Sequence, residues 1–496
     1  MTLEEVLAPK PRLQPTDEQA AIIEAACSTK DNLLINALAG AAKTSTLVMI
    51  AEALPSSLPI LSLAFNKRIA EEMKTRLPGN VMCKTLNAIG HGVWAQTIAR
   101  RKIVVSTKKS YEILKSLVDD MKRGDRSDAY DTFSETLKLI GAAKLAGYIP
   151  EKSPTGRRLI SCDDFWASLD EDAEEVSRDL VDRALIESIT QAYQGIIDFD
   201  DQIYMSCLFG GTFPKFPLVL VDEAQDLSAI NHAMLDKLVV NRLIAVGDPW
   251  QSIYAFRGAL STSMATLRDR FKMKEMNLSI SFRCPKVVVE RARFRAPHMQ
   301  YPEWAVEGQV NVPTEWSTGD IGDGAAIICR NNAPLFRLAF LLIRSGRGVT
   351  VVGSDIGPAL VKALKKLGPE DMTYEQTNKA IDAWETERLR KAKGKAATKD
   401  KAECLRVFLS VGGSLAGATA YAESIFKSTG PIQLLSGHKS KGLEYDHVFH
   451  LDPSRIPSPY AEGEDALEQE LNIRYVILTR AKMSYTEIEM EGYVGL

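Results

Sequence analysis

Short, uniformly apolar runs alternate along this chain with longer stretches whose apolar residues recur at helical spacing. The short runs lie at residues 32–38, 60–65, 217–222, 242–248 and 324–330. They lack polar alternation and are too short for helices, so they read as parallel strands buried on both faces. Helical segments between them predict an α/β fold with layers of helix on sheet. A second texture, at residues 104–193 and 358–427, lacks strand-like runs and is helical in pattern, most clearly at 111–121 and 176–193. Both stretches read as insertions. The expected division is a first core of residues 1–100 and 196–275 interrupted by a helical insertion at 101–195. A second core would take residues 276–357 and 430–496, interrupted by a short, basic helical insertion at 358–429.

Composition narrows this little. The 496 residues are 45% hydrophobic and 25% charged, the balance of an ordinary globular protein of several domains. No run approaches the roughly 20 apolar residues of a membrane span. The opening residues carry Glu4 and Glu5 where a signal peptide carries bases, so a cytoplasmic location and no membrane contact are expected. Seven scattered cysteines and six dispersed histidines favour reduced thiols over disulfides or an imidazole metal centre. The net charge of −3 means that polyanion binding must come from local placement of charge. The densest charge run, residues 388–401, sets seven Lys/Arg against Asp400 alone; it reads as a solvated helix or as a duplex- or partner-binding surface.

The chemistry starts where the first apolar run ends. Leu38-Ala-Gly-Ala-Ala-Lys-Thr-Ser follows a strand and precedes a helical segment, the recipe for cradling a triphosphate. Backbone N–H groups of Ala39, Gly40, Ala41, Ala42 and Ser45 would face phosphates, Lys43 would neutralise them, and Thr44 would ligate Mg²⁺. The strict pattern has glycine where this chain has Leu38 and Ala42. A second signal compensates. Leu218-Val-Leu-Val-Asp-Glu-Ala-Gln-Asp ends a buried strand in paired acids, with Asp222 suited to hold the metal and Glu223 to polarise a water.

Val246-Gly-Asp-Pro-Trp-Gln-Ser-Ile-Tyr-Ala-Phe-Arg-Gly-Ala is too particular for generic packing, and it resembles the third motif of the UvrD/Rep/PcrA family of superfamily 1 DNA helicases. Other family-like motifs follow in order. They are Leu13-Gln-Pro-Thr-Asp-Glu-Gln, Leu63-Ala-Phe-Asn-Lys-Arg, Lys84-Thr-Leu-Asn-Ala-Ile, Asp198-Phe-Asp-Asp and Leu278-Ser-Ile-Ser-Phe-Arg. The last two are Ser436-Gly-His-Lys-Ser-Lys-Gly-Leu-Glu and Arg474-Tyr-Val-Ile-Leu-Thr-Arg-Ala-Lys. The resemblance runs from about residue 13 to 482 outside the insertions, and small members of this kind are found among phage-encoded helicases.

The resemblance implies two RecA-like cores with ATP and Mg²⁺ at their junction. It makes Gln19 the adenine reader and Phe282 the ring stacked on the base, Phe in place of the usual Tyr. Arg283 and Arg480 would reach the γ-phosphate, Gln251 would sense it, and Glu444 would accept from the ribose. Phe65, Tyr254 and Phe256 would stack on single-strand bases, with Asn66, Thr85, Arg257 and His438 on the backbone. Asn87 stands where the family usually has histidine. The implied activity is ATP-driven, 3′ to 5′ translocation on single-stranded DNA and unwinding of forked duplex, by a monomer that serves replication or repair proteins of unknown identity. Two other readings stay open: a translocase that strips proteins without much unwinding, and a DNA-binding module whose ATPase has degenerated.

Overall fold

The computed structural model describes residues 14–99, 102–153, 155–169, 175–253, 262–353, 356–391, 395–461 and 463–495. The first sheet uses strands β1 (Leu33–Ala37), β2 (Ile60–Leu63) and β3 (Val81–Lys84). A two-residue pair, β4 (Val104–Val105) with β5 (Ile196–Ile197), stands apart from it. Strands β6 (Phe216–Val221), β7 (Val239–Gly247) and β8 (Lys274–Leu278) complete the first sheet, in the order β3-β2-β6-β7-β1-β8. The second sheet contains β9 (Gln309–Asn311), β10 (Ala326–Cys329), β11 (Val349–Val351), β12 (Ile432–Ser436), β13 (Tyr445–Leu451) and β14 (Ala481–Ile488), in the order β11-β12-β10-β13-β14-β9. All pairings in both sheets are parallel.

Alternation along each strand fills two cores at once, which is why the strands carry no polar face. In β1, Leu34 joins one hydrophobic cluster while Leu33 and Ile35 join another on the opposite face. In β10, Ile327 and Cys329 face one way and Ala326 and Ile328 the other. This is a two-sheet α/β protein.

The expected boundary at 275/276 cuts through a strand. Residues 276–278 pair with Asn36 and its neighbours as the end of β8, so the first sheet runs three residues further than the apolar pattern indicated. Lys274, Glu275 and Asn277 interrupt that pattern, because β8 lies at the sheet's edge and needs less apolar cover.

The two insertions differ. The first is helical from Lys109–Asp119 to Glu175–Tyr193, but its base includes β4 paired with β5, a strand pair too short to leave a sequence signal. It has a hydrophobic cluster of its own, including Leu114, Tyr148, Phe165 and Leu180. At its foot, buried Lys109 reaches Asp201 at 2.6 Å, and buried Lys144 reaches Asp198 at 2.7 Å and Asp201 at 2.8 Å. Among the described residues, the second insertion has no separate core. Leu360, Ile381, Leu405 and Phe408 share one cluster with Ile327 and Ile432 of the second sheet.

Among the described residues, no helix is long and apolar enough to cross a membrane.

Candidate active site

In parallel α/β sheets, ligand-handling residues gather at the carboxyl ends of the strands. In the first sheet, β1 leads to the loop before Lys43, β2 to Phe65, β6 to Asp222, β7 to Gln251 and β8 to Phe282 and Arg283. In the second, β12 leads to His438 and Lys441. These ends enclose a cleft of about 480 Å³.

The loop between β1 and the helix Lys43–Ala53 is shaped by two left-handed residues, Gly40 at φ 76° and Ala42 at φ 54°. Gly40 has no substitute: an added Cβ would lie 2.6 Å from Ser281 Oγ and 2.7 Å from Arg283 Cβ. Ala42 does have a Cβ and adopts this conformation at a cost of about 1–2 kcal/mol. The loop is braced from outside itself. Phe282 N–H donates to Gly40 O at 3.0 Å, and Ala39 N–H donates to the hydroxyl of buried Tyr475 at 3.0 Å. The unsatisfied N–H groups at the start of the helix Lys43–Ala53 and the Lys43 side chain make its mouth an anion site.

Beneath that mouth lie the two acids. Thr44 Oγ1 donates to Asp222 Oδ2 at 2.7 Å, so hydroxyl and carboxylate are already together. Burial pushes the Asp222 carboxyl above its ordinary range, and the charge of Glu223 adds to this. Burial acts in the same direction on Glu223, but Lys43 and Lys441 outweigh it and hold that carboxyl below the usual range. Glu223 sits at φ 55°, accepts from Gln225 Nε2 at 2.6 Å, and lies 3.7 Å from Lys43 Nζ. An all-oxygen pair with surplus negative charge fits a hard cation such as Mg²⁺, which takes one or two protein carboxylates together with substrate phosphates.

Cations close the cleft from the other side. Arg480 is buried, with Nε donating to Val476 O at 2.8 Å and a terminal nitrogen to Leu443 O at 3.1 Å. Burial, with Arg283 nearby, lowers its pKa to about 10, so it stays charged at neutral pH. Arg283 Nε donates to Glu444 Oε2 at 2.8 Å, which joins the two residues read separately as phosphate and ribose ligands. Lys441, passed over in the sequence reading, donates to both Asp226 oxygens at 2.7 and 2.8 Å and to Gln251 O at 2.6 Å. It links the second sheet to the acidic strand end of the first. Its signal was its place in a motif already singled out for Glu444. Lys43, Arg68, Arg283, Lys441, Arg480 and Lys482 line the cleft against Glu223, Asp226 and Glu444. Six cations against three acids give a positive cleft on a negative chain.

Not every predicted residue reaches it. Gln19 is buried away from the lining. Its Oε1 accepts from Thr16 N–H at 3.1 Å and its Nε2 donates to Thr46 Oγ1 at 3.0 Å, so it closes a helix cap. Phe65 is exposed and lines the cleft with Asn66, whose side chain caps the helix Lys67–Lys74. Thr85 caps the helix Leu86–Thr97, and Asn87 donates to Phe199 O at 2.8 Å; both lie outside the lining, as does half-buried His438. Tyr254, Phe256 and Arg257 fall outside the described residues. Within the basic run, Arg390 pairs with Glu387 and Lys399 with Glu385, and both cations stay exposed.

Residues 16–272 match the family described as the UvrD/REP helicase N-terminal domain, and residues 362–487 match the UvrD-like helicase C-terminal domain. The chain is 25% identical to F-box DNA helicase protein 1 of Schizosaccharomyces pombe, over 94% of this chain and 56% of that protein. It is 26% identical to DNA helicase IV of Escherichia coli over 52% of this chain and 43% of that one. For the ATP-dependent DNA helicase UvrD1 of Mycobacterium tuberculosis the identity is 27%, over 50% and 34%. The chain thus spans little more than half, and in places about a third, of the lengths of these relatives.

Proposed function

This chain belongs to the UvrD/REP helicase family, and from that premise we propose that it is an ATP-driven motor that moves 3′ to 5′ along single-stranded DNA and unwinds forked duplex. One observation carries the reading. A phosphate-cradling loop and paired acids from one parallel sheet face Arg480 and Lys441 from the other, with Arg283 from the segment between them, across one positive cleft.

The proposed reaction is hydrolysis of the terminal phosphoanhydride of ATP. Loop N–H groups and Lys43 hold the β- and γ-phosphates, and Thr44 with Asp222 would hold Mg²⁺, which supplies charge neutralisation between those phosphates. Glu223 accepts a proton from the attacking water. A triphosphate that draws Lys43 toward itself removes a cation from beside Glu223 and so raises its basicity at the moment it is needed. Arg283 and Arg480 meet the charge that accumulates on the γ-phosphoryl oxygens, and Gln251 reports its presence to the residues that follow β7.

Movement follows from where these groups are anchored. The Arg480 and Arg283 guanidinium groups are fastened to second-sheet partners and the loop to the first sheet, so nucleotide draws the sides together and hydrolysis lets them part. Phe65, exposed beside the cleft, offers a base-stacking face that needs no particular sequence. One chain supplies both sides, which supports action as a monomer.

The test is ATP hydrolysis by the purified chain with and without poly-dT, beside strand displacement on duplexes with 3′ or 5′ tails. DNA-stimulated turnover with displacement from the 3′-tailed duplex is expected. Turnover without displacement would leave a translocase, and no turnover would leave a DNA-binding module.

A further inference from the structure

Trp304 is 71% exposed, the largest exposure among the described large hydrophobic side chains, and its position is unexplained by core packing. An indole left in water contributes little to folding, yet the backbone that carries it is firmly held. Before it, Gln300 N–H donates to Ser279 O at 2.9 Å and Gln300 O accepts from Ser281 N–H at 2.8 Å. After it, the carbonyls of Val306 and Glu307 accept from Lys286 and Val287 N–H at 3.0 and 3.2 Å. Both ends of the arch are therefore pinned to the segment that carries Phe282 and Arg283.

The arch places Trp304 against the ring that lines the cleft. The Phe282 and Trp304 centroids are 6.2 Å apart and their planes 25° from parallel. Two successive stacking contacts need about 7 Å between outer rings, twice the optimal carbon–carbon separation. A small rotation of a side chain held only at its backbone opens that gap.

We infer that Trp304 and Phe282 form a two-ring clamp that holds the purine base of the nucleotide by stacking. This rests on the proposed ATP site. The clamp takes the flat base of a purine nucleoside triphosphate whose phosphates lie at Lys43.

The test is titration of the full chain with ATP and, separately, with inorganic tripolyphosphate, which lacks a base, followed by tryptophan fluorescence and equilibrium dialysis. Trp304→Ala should weaken ATP roughly two- to tenfold and leave tripolyphosphate unchanged. Trp304→Phe should keep ATP affinity within about twofold while abolishing the ATP-dependent quench, since a ring remains but the fluorophore does not. Unchanged ATP affinity in Trp304→Ala, or equal loss for both ligands, would overturn the clamp. So would weakened poly-dT binding at constant ATP affinity, which would assign the indole to DNA. A wild-type chain that binds neither ATP nor tripolyphosphate would refute the nucleotide site itself, before any variant is compared.

Discussion

Lys43, Thr44, Asp222 and Glu223 reach the cleft from strand ends of the first sheet, already within hydrogen-bond or ion-pair distance of one another. Lys441, Glu444 and Arg480 come from the second sheet, and Arg283 from the segment joining the two. The guanidinium groups are tied to their own side, as Arg480 is to Val476 O and Leu443 O, whereas the Lys441 ammonium reaches across to Asp226 and Gln251 O. The first set has a geometry fixed within one sheet. The second set has a distance to the phosphates that depends on how the two sides approach. Under the proposed reading, nucleotide affinity falls mainly to Lys43 and the loop, and rate to Glu223 together with the groups from the second side, because only groups that tighten in the transition state accelerate the chemistry.

The largest effect should separate these roles directly. Arg283→Ala should lower turnover about a thousandfold while changing nucleotide affinity only a few-fold, whereas Lys43→Ala should lose both. Equal loss of affinity in the two variants, measured by nucleotide titration, would break the comparison.

Glu223→Gln comes next. It keeps the shape and should retain nucleotide binding but lose at least about a hundredfold in turnover, the scale of a general base. Near-normal hydrolysis would remove Glu223 from the mechanism.

Lys441→Ala sharpens the boundary between the sides, since it deletes the pair with Asp226 and leaves that carboxyl buried and unpaired. Turnover should fall about tenfold, with DNA stimulation reduced more than basal hydrolysis. A variant whose DNA stimulation matches wild type would show that this contact does not couple the two sheets.

The smallest effect belongs to the loop itself. Ala42 sits in the left-handed region, so Ala42→Gly relieves backbone strain while adding freedom to the unfolded chain. The two oppose each other, and the ATP Michaelis constant should move by less than about tenfold. Restoration of activity to an otherwise inactive wild type would instead mark the loop as degenerate.

Much of the fold was legible for one reason. Strands buried on both faces of a parallel sheet must be short and apolar throughout, and that is visible in a single pass along β1, β6, β7 and β10. Edge strands escaped, as β8 shows, because one open side relaxes the demand for apolar residues. The two-residue strands β4 and β5 are too brief for any period to register. The pairing within the charge run at 388–401 escaped for a related reason. Its counter-charges, Glu385 and Glu387, lie on the helix Tyr374–Lys391 just before the run, and folding brings Lys399 back to Glu385.

The sequence by itself determined the α/β class, the family and the candidate residues for phosphate chemistry, because each is written in contiguous residues whose local conformation is the requirement. A strand, a tight loop and a helix start can be read from neighbours along the chain. Tertiary structure alone decided which of those residues share a cleft and what holds them there. Tyr475 reaches Ala39 from 436 positions away and Lys441 reaches Asp226 from 215. It also turned Gln19 inward to Thr46 and carried Trp304 onto Phe282. Such contacts leave no local trace: hydrogen bonds and stacked rings between segments far apart along the chain depend on how those segments pack, and neither partner's neighbours constrain that packing.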